Sequence, residues 1–239
     1  MALRNDGTAT WRSRRESGVR LSYHWLDDRG NAIVWDGPRV ALERTVAPGE
    51  EVEVETVLRA PRPPGRYRLA FDLVEELRFW FAEVGSSPLE LDVIVSPRIA
   101  ERRLAIVVHG GDHSETAAAL AAQEEPLAEA DAVATAHLVA GAIPEPDWSR
   151  RMLDAHAEGF AAVGGSIESR DRALRAWAPG GGRNPTFAHP LLLPSLLAGL
   201  EPGEHQGLPA YEPGSGPERE PAIFDGRIRL RLPRGRRGG

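Results

Sequence analysis

Over the first 98 residues, apolar and polar side chains alternate in short runs that are separated by turn-forming residues. In the clearest of these runs every second residue is large and apolar: Val19, Leu21, Tyr23, Trp25. A second clean run covers residues 67–73, and the last covers residues 89–95. A period of two residues indicates strands with one buried face. About seven short strands, with turns every roughly 8 to 12 residues, predict an all-β sandwich over residues 1–98.

Residues 102–200 carry a different pattern, in which apolar runs alternate with helix-forming segments. The run at 104–108 is apolar throughout and is followed by a glycine loop, which predicts a strand buried on both faces. Residues 117–123 are strongly helix-forming, and one further strand fits around 132–138. This order of strand, glycine loop and helix predicts a reduced α/β unit.

A second helix in this region has clear end signals. Asp147 can cap its start and Gly159 can close it. Between them, the apolar positions recur at helical spacing: Trp148, Met152, Leu153, His156. A short strand at 160–163 follows, and we expect Gly164 and Gly165 to form a tight bend after it.

The segment 201–239 is rich in Pro, Gly and Glu up to residue 221. Such a composition predicts a mostly disordered tail. One amphipathic strand is expected at 223–232, where apolar residues alternate with arginine. The closing Arg234, Arg236 and Arg237 could touch anionic lipid or nucleic acid, but we interpret them as a solvated charged end.

Composition narrows the range of partners and locations. The 239 residues contain no cysteine, which excludes disulfides and thiolate chemistry and fits a reducing, cytoplasmic compartment. No apolar run approaches the roughly 18 residues of a membrane-spanning segment, and no cationic start followed by an apolar h-region is found, so an unsecreted protein is expected. A net charge of -6 argues against nucleic acid as a partner, and all of the cationic residues are arginine. The oligomeric state is left open.

Several motifs in residues 1–98 resemble the immunoglobulin-like domain appended to bacterial sugar-modifying enzymes. These motifs are Arg4-Asn5-Asp6-Gly7, Leu21-Ser22-Tyr23-His24-Trp25-Leu26-Asp27, Val46-Ala47-Pro48-Gly49-Glu50, Pro64-Gly65-Arg66-Tyr67-Arg68-Leu69 and Trp80-Phe81. They are also distantly similar to the polysaccharide-recognising C-terminal domain of O-antigen ABC transporters. The resemblance implies an immunoglobulin-like sandwich, and it identifies a fold more than a function.

The stretch Gly141-Ala142-Ile143-Pro144-Glu145-Pro146-Asp147-Trp148 resembles the second half of the nucleotide-sugar-binding core of inverting family-2 glycosyltransferases. That family has the GT-A fold, which is Rossmann-like. There, an aspartate-any-aspartate element runs directly into a similar loop, and the alignment places Val139-Ala140-Gly141 where the two aspartates stand. Without these carboxylates a divalent cation lacks its protein ligands. The resemblance therefore implies a degenerate unit with no metal, no cofactor and no catalytic residue.

Three residues are candidates for carbohydrate binding: His24, Trp35 and Trp80. Trp35 immediately precedes the Asp36-Gly37 turn and is expected to be partly exposed, and an exposed indole offers apolar area to the C–H face of a pyranose. Alternatively, Trp80 is a core residue of an aromatic strand, and His24 is a solvated histidine on the polar face of its strand. Both interpretations are kept.

Other candidate chemistry is less well supported by the sequence. His109, Asp112 and His113 lie within five residues and have metal-ligand side chains, but no fourth ligand group is marked elsewhere. An esterase is disfavoured because no Gly-x-Ser-x-Gly element exists. If the α/β unit is an active glycosyltransferase with an atypical donor site, Glu145 and Asp147 are its candidate residues.

The sequence thus favours a non-catalytic accessory or remnant protein of a bacterial glycan pathway, with a β-sandwich that binds carbohydrate or protein. The two alternatives are an active family-2-like glycosyltransferase and a plain protein-interaction module.

Overall fold

The computed structural model describes residues 1–13, 18–111, 113–129, 131–185, 187–214 and 219–232. The chain divides into two compact units, an N-terminal unit of Met1–Ser96 and a C-terminal unit of Pro97–Gly239. Both are built mainly from β-strands, so the protein is multidomain and mainly β. The longest helix in the described ranges has ten residues, about half the length that crosses a bilayer.

In residues 1–13 and 18–96, the N-terminal unit consists of strands and one short 3-10 turn at Phe81–Val84. Its strands in chain order are β1 (Ala2–Arg4), β2 (Val19–Leu26), β3 (Ala32–Val34), β4 (Val40–Ala41), β5 (Glu51–Glu53), β6 (Gly65–Glu75), β7 (Phe79–Trp80) and β8 (Leu89–Val95). The main sheet has the order β3-β2-β6-β7, with β4 beside β2 and β8 beside β6. Strands β1 and β5 form a separate antiparallel pair.

Strands β2 and β6 form the centre of this unit, and they pair antiparallel along the whole of β2. Their alternating apolar residues are buried in one core: Leu21, Tyr23, Trp25, Leu69, Phe71, Leu73. The predicted alternation at 19–25 and 67–73 is therefore confirmed. The opposite face of the same strands carries Ser22, His24 and Asp72, which are also buried. A second layer must therefore cover that face.

The C-terminal unit contains two α-helices and ten strands in its described residues. In chain order they are β9 (Leu104–His109), α1 (Ser114–Ala121), β10 (Ala134–Val139), β11 (Ile143–Pro144), α2 (Trp148–Ala157), β12 (Ala162–Ser169), β13 (Arg183–Asn184), β14 (Leu191–Leu192), β15 (Ser195–Leu197), β16 (Gly203–His205), β17 (Leu208–Tyr211) and β18 (Ala222–Leu232). The main sheet is mixed and has the order β11-β18-β12-β15-β10-β9, with β13 beside β18. Strands β14, β17 and β16 form a smaller sheet.

Helix α2 confirms the closing signal at Gly159, whereas Asp147 occupies the N-cap position but its side chain makes no capping hydrogen bond. It begins after Asp147, and Gly159 beyond its end has a φ of 110°, a backbone conformation that favours glycine. Trp148, Met152 and Leu153 are fully buried in the core of the C-terminal unit. The amphipathic pattern of this segment therefore identified both the helix and its buried face.

Two strand predictions in this unit are wrong in detail. Strand β9 lies at the edge of its sheet, and it is not buried on both faces, because Val107 is 41% exposed. Gly164 and Gly165 do not form a bend but lie inside β12. A Cβ atom at Gly165 would be 2.3 Å from the Ile228 carbonyl oxygen, so glycine is needed there for close strand approach rather than for a turn.

The prediction of a disordered segment at 201–221 is wrong for Gly203–His205 and Leu208–Tyr211, which form β16 and β17. Strand β18 pairs with β11, β12 and β13. The strand expected at 223–232 is observed at Ala222–Leu232, and it lies inside the main sheet rather than docked on its edge. Arg234, Arg236 and Arg237 lie outside the described residues.

Candidate functional site

The structure brings His24, Trp35 and Trp80 into one cluster on the N-terminal unit, which we call the aromatic corner. The His24 and Trp35 rings are stacked, with centroids 4.1 Å apart and an interplanar angle of 22°. Trp80 meets both rings edge-on, with its centroid 4.4 Å from that of His24 and 5.9 Å from that of Trp35. The indole planes of Trp35 and Trp80 are inclined by 70°. They therefore form two walls of a corner with His24 behind them.

Three local features of the chain place these rings together. His24 points from β2 away from the Tyr23 core, and it lies opposite the small Ala70 of β6 in the strand register. Trp35 directly follows β3, and the chain beyond it is held against β2 by a hydrogen bond from the Gly37 N–H to the Tyr23 carbonyl oxygen. Trp80 belongs to β7. The sheet pairing thus sets the positions of all three rings.

Exposure differs sharply across the aromatic corner. Trp35 is 50% exposed, whereas His24 is only 4% exposed. Since His24 covers one face of the Trp35 indole, the exposed area belongs to the other face and its edges. The expectation of a partly exposed Trp35 is confirmed. The alternative of a solvated His24 is wrong, because Trp35 and Trp80 cover its ring.

The hydrogen bonding of His24 fixes one part of its chemistry. Its Nδ1 atom contacts the Trp35 carbonyl oxygen, which can only accept a hydrogen bond, so Nδ1 carries the proton. Its Nε2 atom is buried without a hydrogen-bond partner in the part of the chain that the structure describes. His24 therefore supports Trp35 from behind and itself offers no exposed polar group.

Charged residues form the rim of the aromatic corner. The Arg39 guanidinium lies 5.3 Å from the centroid of the Trp80 ring, which is a cation–π distance. Its Nη2 atom is 2.9 Å from Asp36 Oδ1, and its Nε atom is 3.2 Å from Glu76 Oε1. Ion pairs among surface groups contribute little to stability. Their importance here is that they fix exposed donors and acceptors beside an exposed indole.

Asp72 anchors the layer that covers this face of the sheet. Its Oδ2 atom accepts a hydrogen bond of 3.2 Å from the N–H of Ala82, in the 3-10 turn that directly follows Trp80. Its Oδ1 atom accepts one of 2.8 Å from the N–H of Leu73. Burial raises the pKa of Asp72, and these two hydrogen bonds and the nearby His24 oppose the rise. Sequence analysis missed Asp72, whose only signal was a charged residue at a polar position of a long apolar strand.

Comparison with protein-family models, curated proteins and solved structures gave no match. Function is therefore inferred from the chemistry of the side chains.

The candidate glycosyltransferase residues lie on the loop between β11 and α2. Glu145 is exposed. The Asp147 carboxylate forms ion pairs with Arg151 and, at 3.6 Å, with Arg150. The negative charge of Asp147 is thus already balanced by two arginines of the helix that it precedes. The geometry gives no reason to assign Asp147 to the binding of a nucleotide-sugar donor.

A histidine pair at the carboxyl ends of β9 and β10 was not predicted. His109 Nε2 lies 3.2 Å from His137 Nδ1. Burial and the neighbouring His109 lower the pKa of His137, and Glu201 opposes this shift. His113 instead contacts the Gly111 carbonyl oxygen, and Asp112 lies outside the described residues. Among the side chains that the structure describes, no group of three or more metal-ligating residues is found.

Proposed function

We propose that the N-terminal unit binds carbohydrate at the aromatic corner, and that the protein is a non-catalytic accessory or remnant of a bacterial glycan pathway. The observation that carries this proposal is the half-exposed Trp35 indole, with His24 stacked behind it and Trp80 inclined beside it. The Ig-like and GT-A-like identities of the two units, and a cytoplasmic location, are parts of the same proposal.

The geometry suits a sugar ring for two reasons. The face of Trp35 that His24 does not cover offers flat apolar area to the C–H side of a pyranose. Ring contacts with His24 and Trp80 hold the indole in this position. The rim residues Asp36, Arg39 and Glu76 offer charged donors and acceptors to ring hydroxyls. A protein ligand would use the same exposed indole. Carbohydrate binding and protein binding are therefore distinguished by experiment.

The first experiment tests retention on a glycan array, followed by calorimetric titration of the saccharides that are retained. Trp35→Ala should weaken the binding of a retained saccharide by roughly fivefold to thirtyfold, because a stacking platform contributes about 1–2 kcal/mol. Ile94→Ala is the matched control, since Ile94 is an exposed apolar residue of β8 in the same unit. It should leave the affinity unchanged.

Two results would contradict the proposal. Equal retention of the wild-type protein and Trp35→Ala would show that the aromatic corner is not part of the binding site. Absence of retention on every glycan, with capture of a protein partner that depends on Trp35, would favour the interaction module.

A separate titration tests the alternative of an active glycosyltransferase. Nucleotide sugars are added with Mg²⁺ or Mn²⁺, and we expect no saturable binding. Saturable, metal-dependent binding that is lost in Asp147→Asn would favour an active glycosyltransferase over a non-catalytic protein.

A further inference from the structure

Asp36 and Arg39, which form part of the rim of the aromatic corner, also line a groove at the edge of the N-terminal unit. The groove has a volume of about 820 Å³. Its wall is partly apolar, with Ile33 and Pro61 among the lining residues. Because Asp36 and Arg39 belong both to the groove and to the rim, the groove adjoins the aromatic corner, although neither Trp35 nor Trp80 lines it.

The charges in the groove have one predominant sign. Three arginines line it, and one aspartate: Arg39, Arg59, Arg62, Asp36. The whole chain has a net charge of -6, so this local excess of positive charge opposes the general trend. A groove in which positive charges outnumber negative ones attracts ligands of negative charge.

Arg59 differs from Arg39 in having a side chain that is available to a ligand. Arg39 already pairs with Asp36 and Glu76, whereas Arg59 is exposed and forms no ion pair with any residue in the described ranges. A guanidinium presents a planar fork of N–H groups that matches the two oxygens of a carboxylate. Arg59 is therefore the residue of the groove best placed to bind an anion.

The core fixes the backbone of Arg59 from both sides. Its N–H donates a hydrogen bond of 3.1 Å to the Tyr23 hydroxyl, and its carbonyl oxygen accepts one of 2.9 Å from Trp25 Nε1. Tyr23 and Trp25 are 1% and 3% exposed. The position of the Arg59 Cα atom is thus set by two buried side chains, which lowers the entropy cost of using its guanidinium in binding.

We infer that the groove binds the carboxylates of an acidic glycan, a chain that contains uronate residues, while a neighbouring sugar ring of that chain stacks on Trp35. This inference rests on the proposed carbohydrate binding and names its substrate class. An acidic peptide would also meet the arginines, but an exposed indole adjoins the groove across the shared residues Asp36 and Arg39, which favours a ligand that carries both carboxylates and flat C–H faces.

The test uses the full chain and a pair of matched saccharides, an oligogalacturonate and the same oligomer after reduction of its carboxyl groups. The wild-type protein should bind the acidic form at least roughly tenfold more tightly than the reduced form, and added salt should weaken that binding. Arg59→Gln should weaken binding of the acidic form by roughly fivefold to tenfold and leave binding of the reduced form unchanged.

Arg66→Gln is the control, because Arg66 is an exposed arginine of the same unit that lies outside the groove. It should not change either affinity. Since the hydrogen bonds of Arg59 to the core come from its backbone, Arg59→Gln should melt at the temperature of the wild-type protein, and this is measured alongside.

The outcomes separate this inference from the proposed function. Equal binding of both saccharides, lost in Trp35→Ala but not in Arg59→Gln, would keep carbohydrate binding and overturn the acidic class. Binding of polyglutamate as tightly as the oligogalacturonate would also overturn it. Absence of binding to either saccharide and to every glycan on the array would overturn both.

Discussion

His156 illustrates how a polar residue becomes part of a core. It lies among the apolar positions of α2 and is fully buried. Its Nδ1–H donates a hydrogen bond of 2.8 Å to the Phe160 carbonyl oxygen, and its Nε2 atom is 2.8 Å from the Ser195 hydroxyl. The Ser195 hydroxyl can donate to an unprotonated Nε2, so the neutral ring has both of its nitrogens satisfied. Burial accordingly lowers the pKa of His156 from 6.5 to about 4.

This shift predicts a specific pH dependence of stability. The folded pKa lies below the unfolded pKa, so between pH 6.5 and 4 the unfolded chain binds a proton that the folded chain does not. Stability is therefore complete above pH 6.5 and falls as the pH approaches 4. His156→Gln removes this titration. Between pH 7 and 4.5 the wild-type protein should lose about 2–3 kcal/mol more unfolding free energy than the variant.

The measurement is urea unfolding of both proteins at several pH values. Between pH 7 and 8 the two proteins should change in parallel, which serves as the control. If the unfolding free energies of the two proteins also fall in parallel between pH 7 and 4.5, the pH dependence of stability does not come from His156.

The neighbouring strands β12 and β18 show how an element depends on close backbone approach. They pair in parallel, with an irregular register between Gly165 and Ser166. The Ser166 hydroxyl donates a hydrogen bond of 2.9 Å to the Gly226 carbonyl oxygen, and it bridges the two strands there. A Cβ atom at Gly226 would lie 1.8 Å from the Gly181 carbonyl oxygen. Glycine is therefore required at both positions by close backbone approach, of β18 at Gly165 and of the segment before β13 at Gly226.

We predict that Gly165→Ala destabilises the C-terminal unit by about 1–3 kcal/mol or more, because its Cβ atom would meet the Ile228 backbone and side chain. Gly182→Ala is the control, since nothing lies within 4 Å of a Cβ atom at that position. Thermal unfolding measures both. Equal melting temperatures for the two variants would show that β12 and β18 are not so closely packed.

At the scale of the whole molecule, the C-terminal unit depends on the last part of the chain. Strand β18 lies between β11 and β12 in the main sheet. Ile223, Ile228 and Leu230 of this strand are buried in the same core as Trp148. The strand predicted at 223–232 thus completes the main sheet of this unit.

A chain that ends at residue 200 should therefore lose the cooperative unfolding transition of the C-terminal unit, because it lacks a strand from the interior of the main sheet. The N-terminal unit has its own core, so its transition should persist in the shortened chain and act as the internal reference. Calorimetry of the full and shortened chains tests this. Two retained transitions would contradict the role of β18.

The sequence predicted those features that depend on neighbouring residues. The alternation around Tyr23 identified β2 and its core face, and the spacing of Trp148, Met152 and Leu153 identified α2. Such patterns succeed because side-chain direction is fixed by the local backbone period. Exposure of Trp35 was predicted for the same kind of reason, from its place beside a turn.

Only the tertiary structure decided what covers each face and which distant segments pair. The sequence placed His24 on a polar face, but that face is covered by Trp35 and Trp80, which come from elsewhere in the chain. The pairing of β12 with β18 and the groove beside Arg59 also depend on contacts between distant residues. A local pattern records whether a side chain is apolar, whereas burial of a polar one depends on partners that only the folded chain brings together.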